Sequence, residues 1–366
     1  MENFDYKQEF KNKYEEALAQ FRKRPNILVC GYTGSGKTSL IQAILGDVVP
    51  DSAIGAGAPK TMGYDPYESD LVRIWDSKGL ELGETEEEFT NHTRNFVRQR
   101  QTDPDVDKHI HLVWYTIQGP GARVTECDKN LIRNIFNPKN VLVVVTKNDC
   151  VRNNQRAELK AAILETGVPE EHIFFTSDIE SGSQGCRELM LESLGMLPEA
   201  YKDAFIDAQR VDRELKIKAV YGKATKAKAI IATATVTAAS IGGASLPLSD
   251  AALLVPVQVG MIGTLAALYG LHAEAIKQSA LPFVARVAGI VTASSLLKLI
   301  PGLGSAINAV VAGTFTGAMG LYVKNNFEAS AIAKIEGRPM PELGFNVELF
   351  QQFYNDYKKN KGETTA

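Results

Sequence analysis

Asn26-Ile27-Leu28-Val29-Cys30 is an apolar run suited to a buried strand, and Ser39-Leu40-Ile41-Gln42-Ala43-Ile44-Leu45 has the make-up of a helix. Between them stands Gly31-Tyr32-Thr33-Gly34-Ser35-Gly36-Lys37-Thr38. A strand, a glycine-rich turn and a helix in that order call for an α/β sheet, with the turn at the C-terminal end of its first strand. The glycines let the backbone curl so that successive N–H groups point inward at a phosphate chain. The helix start adds unpaired N–H donors and the positive end of its dipole. Gly31, Thr33, Gly34, Ser35, Gly36 and Ser39 are therefore candidate phosphate contacts. Lys37 can reach the β- and γ-phosphates, and the Thr38 hydroxyl is placed to ligate Mg²⁺.

At 366 residues the chain is long enough for two domains, and its 45% apolar and 23% charged content fits an ordered protein. A net charge of −3 gives no reason to expect a nucleic-acid partner. Cys30, Cys127, Cys150 and Cys186 are far apart and read as thiols in a reducing compartment. His109 and His111 would share a strand face, with no third ligand near them in sequence. The charged start of the chain argues against a secretory signal.

Within residues 1–24, Phe10, Tyr14, Leu18 and Phe21 recur at helical spacing. They predict an amphipathic helix that lays a stripe on another part of the protein. After the phosphate loop, residues 53–61 are rich in Gly and Ala and end in Thr61. A nucleotide-sensing loop closes when a threonine meets the metal and the γ-phosphate, so Thr61 is a candidate for metal binding and catalysis. Leu71-Val72-Arg73-Ile74-Trp75 predicts a strand that ends in Asp76-Ser77-Lys78-Gly79. Asp76 would supply a carboxylate to the metal shell, and the Gly79 N–H would meet the γ-phosphate.

A helix near 85–100, a strand over 111–117 and a helix from about Thr125 come next. The unbroken run Val141-Leu142-Val143-Val144-Val145 suits a strand covered on both faces. It ends in Thr146-Lys147-Asn148-Asp149. An Asp149 carboxylate can accept from guanine N1–H and N2–H₂ together, whereas adenine offers no such pair. The Lys147 stem can lie along the base. The last strand, Ile173-Phe174-Phe175, delivers Thr176-Ser177, where a backbone N–H would meet guanine O6.

This ordered set of motifs over residues 25–198 resembles the Era/TrmE-type GTPases of the translation-factor class. The resemblance implies a GTP-binding domain that binds GTP or GDP with Mg²⁺ and hydrolyses GTP. Three positions depart from the pattern. Gly34 stands where TrmE-like relatives carry a potassium-binding asparagine, which speaks against potassium activation. Leu80 follows Gly79 where Ras-like enzymes place a water-orienting glutamine, which implies slow intrinsic turnover. Lys78 replaces the common proline.

From about residue 199 a charged helix is expected through Tyr201, Phe205, Ala208, Val211 and Leu215, closing in a basic stretch at Lys216, Lys218, Lys223, Lys226 and Lys228. Uncharged runs then cover 229–248, 251–271 and 299–323, each long enough to span a bilayer. Two readings compete. The runs are either membrane-inserted hairpins with lysines at the near face, or buried helices of a water-soluble helical domain. Their Ala, Thr, Ser and Gly content, with Pro247, Pro256, Pro282 and Pro301, weakens the first reading. Residues 215–325, with Leu246-Pro247-Leu248-Ser249-Asp250-Ala251 and Ile300-Pro301-Gly302-Leu303-Gly304, resemble the YcjF-type helical domain, which is described as membrane-associated. Asp250 and Gln258 sit in apolar surroundings and need partners. Phe350, Phe353, Tyr354 and Tyr357 predict a last amphipathic helix in 326–366.

The expected architecture is an α/β domain with a mostly parallel sheet over 25–198, a charged linker helix over 199–228, then an all-α part. The expected role is a slow, Mg²⁺-dependent GTPase acting as a cytoplasmic, membrane-associated switch. The alternatives are a nucleotide-binding interaction protein with little turnover, or a dynamin-like remodeller. Expected partners are a guanine nucleotide, a lipid bilayer through 229–323, a protein effector, and a second copy of the chain in a nucleotide-dependent homodimer.

Overall fold

The computed structural model describes residues 5–46, 64–77, 85–121, 123–177, 185–243, 246–247, 253–271, 306–341 and 346–362. Two compact units divide the chain: Arg22–Arg213 forms one, and Met1–Phe21 joins Glu214–Ala366 in the other.

The first unit is an α/β layer structure on a six-stranded sheet. Its strands are β1 (Asn26–Gly31), β2 (Tyr64–Glu68), β3 (Arg73–Ser77), β4 (Leu112–Gln118), β5 (Val141–Thr146) and β6 (Ile173–Phe175). They run in the order β2-β3-β1-β4-β5-β6, parallel except for β2. The apolar runs fall where expected because strands covered on both faces need unbroken hydrophobic sequence; every residue of β1 and β5 is buried. β2 is a strand that the period-two pattern did not announce. Its Pro66 lies on the outermost strand among those described, where a missing N–H costs no ladder bond. β3 runs two residues further than the apolar segment and takes in Asp76 and Ser77.

Helices α2 (Lys37–Leu45), α3 (Glu86–Gln101), α4 (Glu126–Asn130), α5 (Asn153–Leu164), α6 (Cys186–Met196) and α7 (Glu199–Ala208) complete this unit. α3 begins in a reciprocal cap between Thr85 and Glu88, and α4 in the same device between Thr125 and Asp128. The helix expected from Thr125 loosens after one turn into π geometry over Leu131–Phe136 and ends at Asn137, which has φ 66°. The continuous charged helix expected from 199 is broken. Gln209 folds its amide back, donating 2.8 Å to the Asp212 carbonyl and accepting 2.8 Å from the Asp212 N–H. The next residue, Arg210, donates from N to Ile44 O at 2.9 Å and from Nε to Ala43 O at 3.2 Å, which satisfies carbonyls at the end of α2.

The second unit contains α1 (Tyr6–Phe21), α8 (Arg213–Gly222), α9 (Ala224–Gly242), α10 (Val255–Tyr269), α11 (Ala309–Glu336) and α12 (Val347–Gly362). A two-residue antiparallel pair joins β7 (Leu246–Pro247) to β8 (Ala306–Ile307). One hydrophobic core draws on these helices through Phe10, Ile231, Ile262, Leu265, Phe315, Met319, Tyr322, Phe327 and Phe350. The stripe predicted on the first helix lies on α10. A side chain at Gly263 would come 2.8 Å from the Phe10 carbonyl oxygen, so glycine there sets how closely the two backbones approach. Tyr14 adds a hydrogen bond to Leu271 O at 2.7 Å.

Gln258, fully buried, donates to Thr316 Oγ1 at 3.2 Å, while its Oε1 has no partner among the described residues. Asp250 lies outside them. α12 buries Phe350 and Tyr354 and leans Phe353 and Tyr357 on the same core. The uncharged runs supply α9, α10 and α11, and among the described residues no helix is long and apolar enough to cross a membrane. Pro256 is accommodated in the first turn of α10, where no helical N–H is needed.

Candidate functional site

β1 ends centrally in the sheet, flanked by β3 and β4, so the loop after it emerges at the C-terminal edge of parallel strands. Gly31 is the tightest point. It has φ 149°, and a side chain there would overlap the Thr116 carbonyl oxygen of the neighbouring strand. Gly36 precedes α2 in the left-handed region at φ 84°. Ser35 is buried under the loop, its hydroxyl 2.6 Å from Thr116 Oγ1, which in turn donates to Cys30 O at 3.2 Å.

Lys37 is folded back into the loop. Its Nζ donates to Gly31 O at 3.1 Å and Tyr32 O at 3.0 Å, with the residue only 7% exposed. Burial lowers its pKa, and the Asp76 charge opposes that. Thr38 Oγ1 donates to Asp76 Oδ2 at 3.1 Å, joining the phosphate loop to the end of β3. Asp76 is 1% exposed, and its other carboxylate oxygen has no partner among the described residues. Burial pushes its pKa up to about 6, with the Lys37 charge and the Thr38 hydrogen bond pulling the other way. Such a buried, half-satisfied carboxylate beside a hydroxyl suits a hard cation that takes oxygen ligands. Thr33 and Gly34 are exposed, and Ser39 is half-buried. Thr61, Lys78, Gly79 and Leu80 lie outside the described residues.

The loop after β5 is brought against the phosphate loop. Thr146 Oγ1 donates to Ser35 O at 2.7 Å, and Lys147, in the left-handed conformation at φ 53°, reaches Gly34 O with Nζ at 3.3 Å. Asp149 is exposed at the start of a 3₁₀ turn, where the Cys150 thiol donates to its Oδ2 at 3.2 Å. The Thr176 carbonyl accepts from Asn148 N at 3.0 Å, and Thr176 N donates to Val145 O at 2.8 Å. Thr176 and Ser177 are both buried, and the Ser177 hydroxyl has no partner among the described residues. Residues 31–38, 146–149 and 176–177 thus meet at one edge of the sheet, the first of these segments more than 100 residues from the other two.

Tyr32 escaped the sequence reading. Its hydroxyl lies 2.9 Å from Glu86 Oε1 and 3.0 Å from Thr125 Oγ1, tying the phosphate loop to the starts of α3 and α4. An aromatic residue inside a loop that otherwise needs small residues was the available signal. His111 and His109 serve backbone groups. His111 Nδ1 accepts from Asn26 N at 2.9 Å, and His109 Nε2 lies 2.8 Å from Asp103 O. Among the described residues no cluster of His, Cys, Asp and Glu forms a metal cage. No protein-family model matches the chain, and no curated protein matches it.

Proposed function

We propose that the α/β unit binds a guanine nucleotide with Mg²⁺ and hydrolyses GTP slowly, acting as a switch. The observation that carries this reading is the convergence of Lys37, Thr38 and Asp76 beside a loop whose backbone is bent by Gly31 and Gly36. Thr38 and Asp76 would hold the Mg²⁺, which would supply positive charge to offset that of the phosphates. Lys37 would leave the carbonyls of Gly31 and Tyr32 and donate to the β- and γ-phosphates. A cation delivered by the loop in this way stabilises charge building on the transferred phosphoryl. Thr61 and the Gly79 N–H are proposed to close on the γ-phosphate.

Base choice is assigned to Asp149, which is exposed and, among the described residues, paired with its neighbour's thiol, so a purine edge can reach its carboxylate. The Lys147 stem would cover one face of the base. The test is nucleotide affinity by fluorescence with labelled GDP, for the wild type and Asp149→Asn. The amide should weaken GDP binding about 100-fold and improve xanthosine diphosphate, whose C2 carbonyl accepts from the new N–H₂. Equal GDP affinity in the two proteins would sink the base assignment.

For the helical unit the proposal is an effector arm. Its contact with a bilayer would be peripheral through the described helices, since none of these is long and apolar enough to cross one. Liposome flotation with GDP, with a non-hydrolysable GTP analogue and without nucleotide tests it. Flotation in none of the three states removes the membrane from the reading.

A further inference from the structure

β3 and α3 carry a second cluster of donors, separate from the phosphate loop. Trp75 on β3 is 6% exposed, and Arg100 near the end of α3 lays its guanidinium 4.0 Å from the indole centroid. Phe96, one turn earlier, meets Trp75 edge-on at 5.3 Å and lies 5.4 Å from the same guanidinium. Tyr64 of β2 stacks on Phe96 at 4.1 Å and extends the aromatic floor. The Arg73 guanidinium lies 6.0 Å from the indole centroid.

The donors of this cluster outnumber its acceptors. Stacking engages the flat face of a guanidinium and leaves its five N–H groups at the edge still needing acceptors. The Arg100 side chain makes no hydrogen bond or ion pair among the described residues, and its Nε is buried. Trp75 Nε1, an atom of the ring beneath it, is also buried and unpartnered among those residues. Arg73 spends its Nε on Glu68 Oε1 at 2.7 Å, and that carboxylate also meets Arg24 at 3.8 Å. Burial and the Arg73 charge both pull the Arg100 pKa down, and the Asp103 charge offsets them only in part. Among the described residues, these two like charges and the buried indole N–H face one shared carboxylate, that of Glu68, and the partial offset of Asp103, so the cluster has room for a further anion.

We infer that the Trp75–Arg100 cluster is an oxyanion-binding site that takes a phosphate or carboxylate group. The anion would accept from the Arg100 fork and from Trp75 Nε1, with Arg73 adding its charge. Arginine suits this task because its planar fork matches two oxygens of one oxyanion. The site does not depend on nucleotide binding and would act alongside it.

The test is tryptophan fluorescence of the full-length protein during titration with sodium phosphate, against sodium chloride of matched ionic strength. Titrations run on the wild type, Lys37→Ala, Arg100→Gln and Arg100→Lys, each checked for folding by circular dichroism. A saturable change is expected in the wild type and in Lys37→Ala. Losing the charged fork should weaken it about tenfold or more in Arg100→Gln, with Arg100→Lys intermediate. A parallel titration with acetate separates the carboxylate class from the phosphate class; an Arg100-dependent response to either supports the site. A response equal in chloride, or unchanged in Arg100→Gln, overturns it. A response lost in Lys37→Ala but kept in Arg100→Gln places the phosphate in the loop at residues 31–38 and overturns it too.

Discussion

Thr146 Oγ1 donates a 2.7 Å hydrogen bond to the carbonyl of Ser35, joining the first residue of the T-K-N-D segment to the middle of the phosphate loop. Both residues are buried, so the bond is made away from competing water. On the proposed reading, the loop that would read the base and the loop that would cradle the phosphates share this one hydrogen bond. Thr146→Val keeps the shape but strands the Ser35 carbonyl, at a cost of about 1–3 kcal/mol. Chemical denaturation should register that loss. GDP and inorganic pyrophosphate should both bind more weakly, because the loop that holds phosphate is no longer propped. A change in GDP affinity alone would confine Thr146 to the base side.

Gly31→Ala tests the tightest backbone position. The new methyl would run into the Thr116 carbonyl at a φ that L-residues avoid. The strand pair cannot part without breaking its ladder, so the loop must shift. Nucleotide affinity should fall by about 100-fold or more, comparable to the loss of several phosphate hydrogen bonds. Wild-type affinity in equilibrium dialysis would contradict the geometry.

The pH dependence follows from Asp76. Its folded-state pKa is raised from 3.8 to about 6, chiefly by burial. The neutral carboxyl is therefore favoured on folding. The stabilisation is complete below the unfolded value and disappears as the pH rises through about 6. About two pKa units correspond to roughly 3 kcal/mol between pH 4 and pH 7. Asp76→Asn does not titrate, so the stability of the wild type relative to this variant should fall by that order across the window. Mg²⁺-dependent nucleotide binding should move the opposite way and strengthen above pH 6, where the carboxylate is ionised. A flat difference in denaturation midpoints between the two proteins would refute the assignment.

Gly263→Ala probes the seat of α1 on α10. The added methyl would sit 2.8 Å from Phe10 O, so the helices must separate. Overpacking of this size costs about 1–3 kcal/mol. Amide exchange should quicken across α1, while nucleotide affinity of the α/β unit stays as in the wild type. Unchanged protection of residues 6–21 would mean that the two helices do not pack this way.

Gln258→Met removes a buried acceptor with no partner among the described residues and keeps the volume. Relieving an unsatisfied polar atom should leave the helical unit as stable or raise it by about 1 kcal/mol. A fall of several kcal/mol in thermal unfolding would show that the Gln258 amide, through its bond to Thr316 or a buried water on Oε1, holds the core together.

The central strands were legible because a parallel sheet stamps its burial directly on the sequence, as in Val141-Leu142-Val143-Val144-Val145. The Lys37, Thr38 and Asp76 convergence was legible too, since Lys37 and Thr38 come after β1 and Asp76 near the end of a strand expected beside it. The Thr146–Ser35 bond was not, because it joins residues 111 apart through a backbone carbonyl that carries no residue code. The partner of α1 was hidden for a similar reason. Phe10 and Tyr14 announce a face to be covered, but the cover is defined by small residues such as Gly263, which leave no hydrophobic signature. The break at Gln209–Asp212 depends on a side chain replacing a helical backbone partner, which charge and apolar spacing do not encode. The Arg100–Trp75 stack needed β3 and α3 to be placed before it could be seen.

The first helix packs on α10 and bonds Leu271 through Tyr14, and the whole α/β unit is written between them. During synthesis Phe10, Tyr14 and Phe21 emerge early but must wait for some 250 further residues, about 12–50 s at ordinary elongation rates, before α10 exists to receive them. The nascent chain thus carries an uncovered apolar stripe while the α/β unit is already complete. That interval is a natural window for a chaperone to hold the segment, and it lets the α/β unit mature before the helical one.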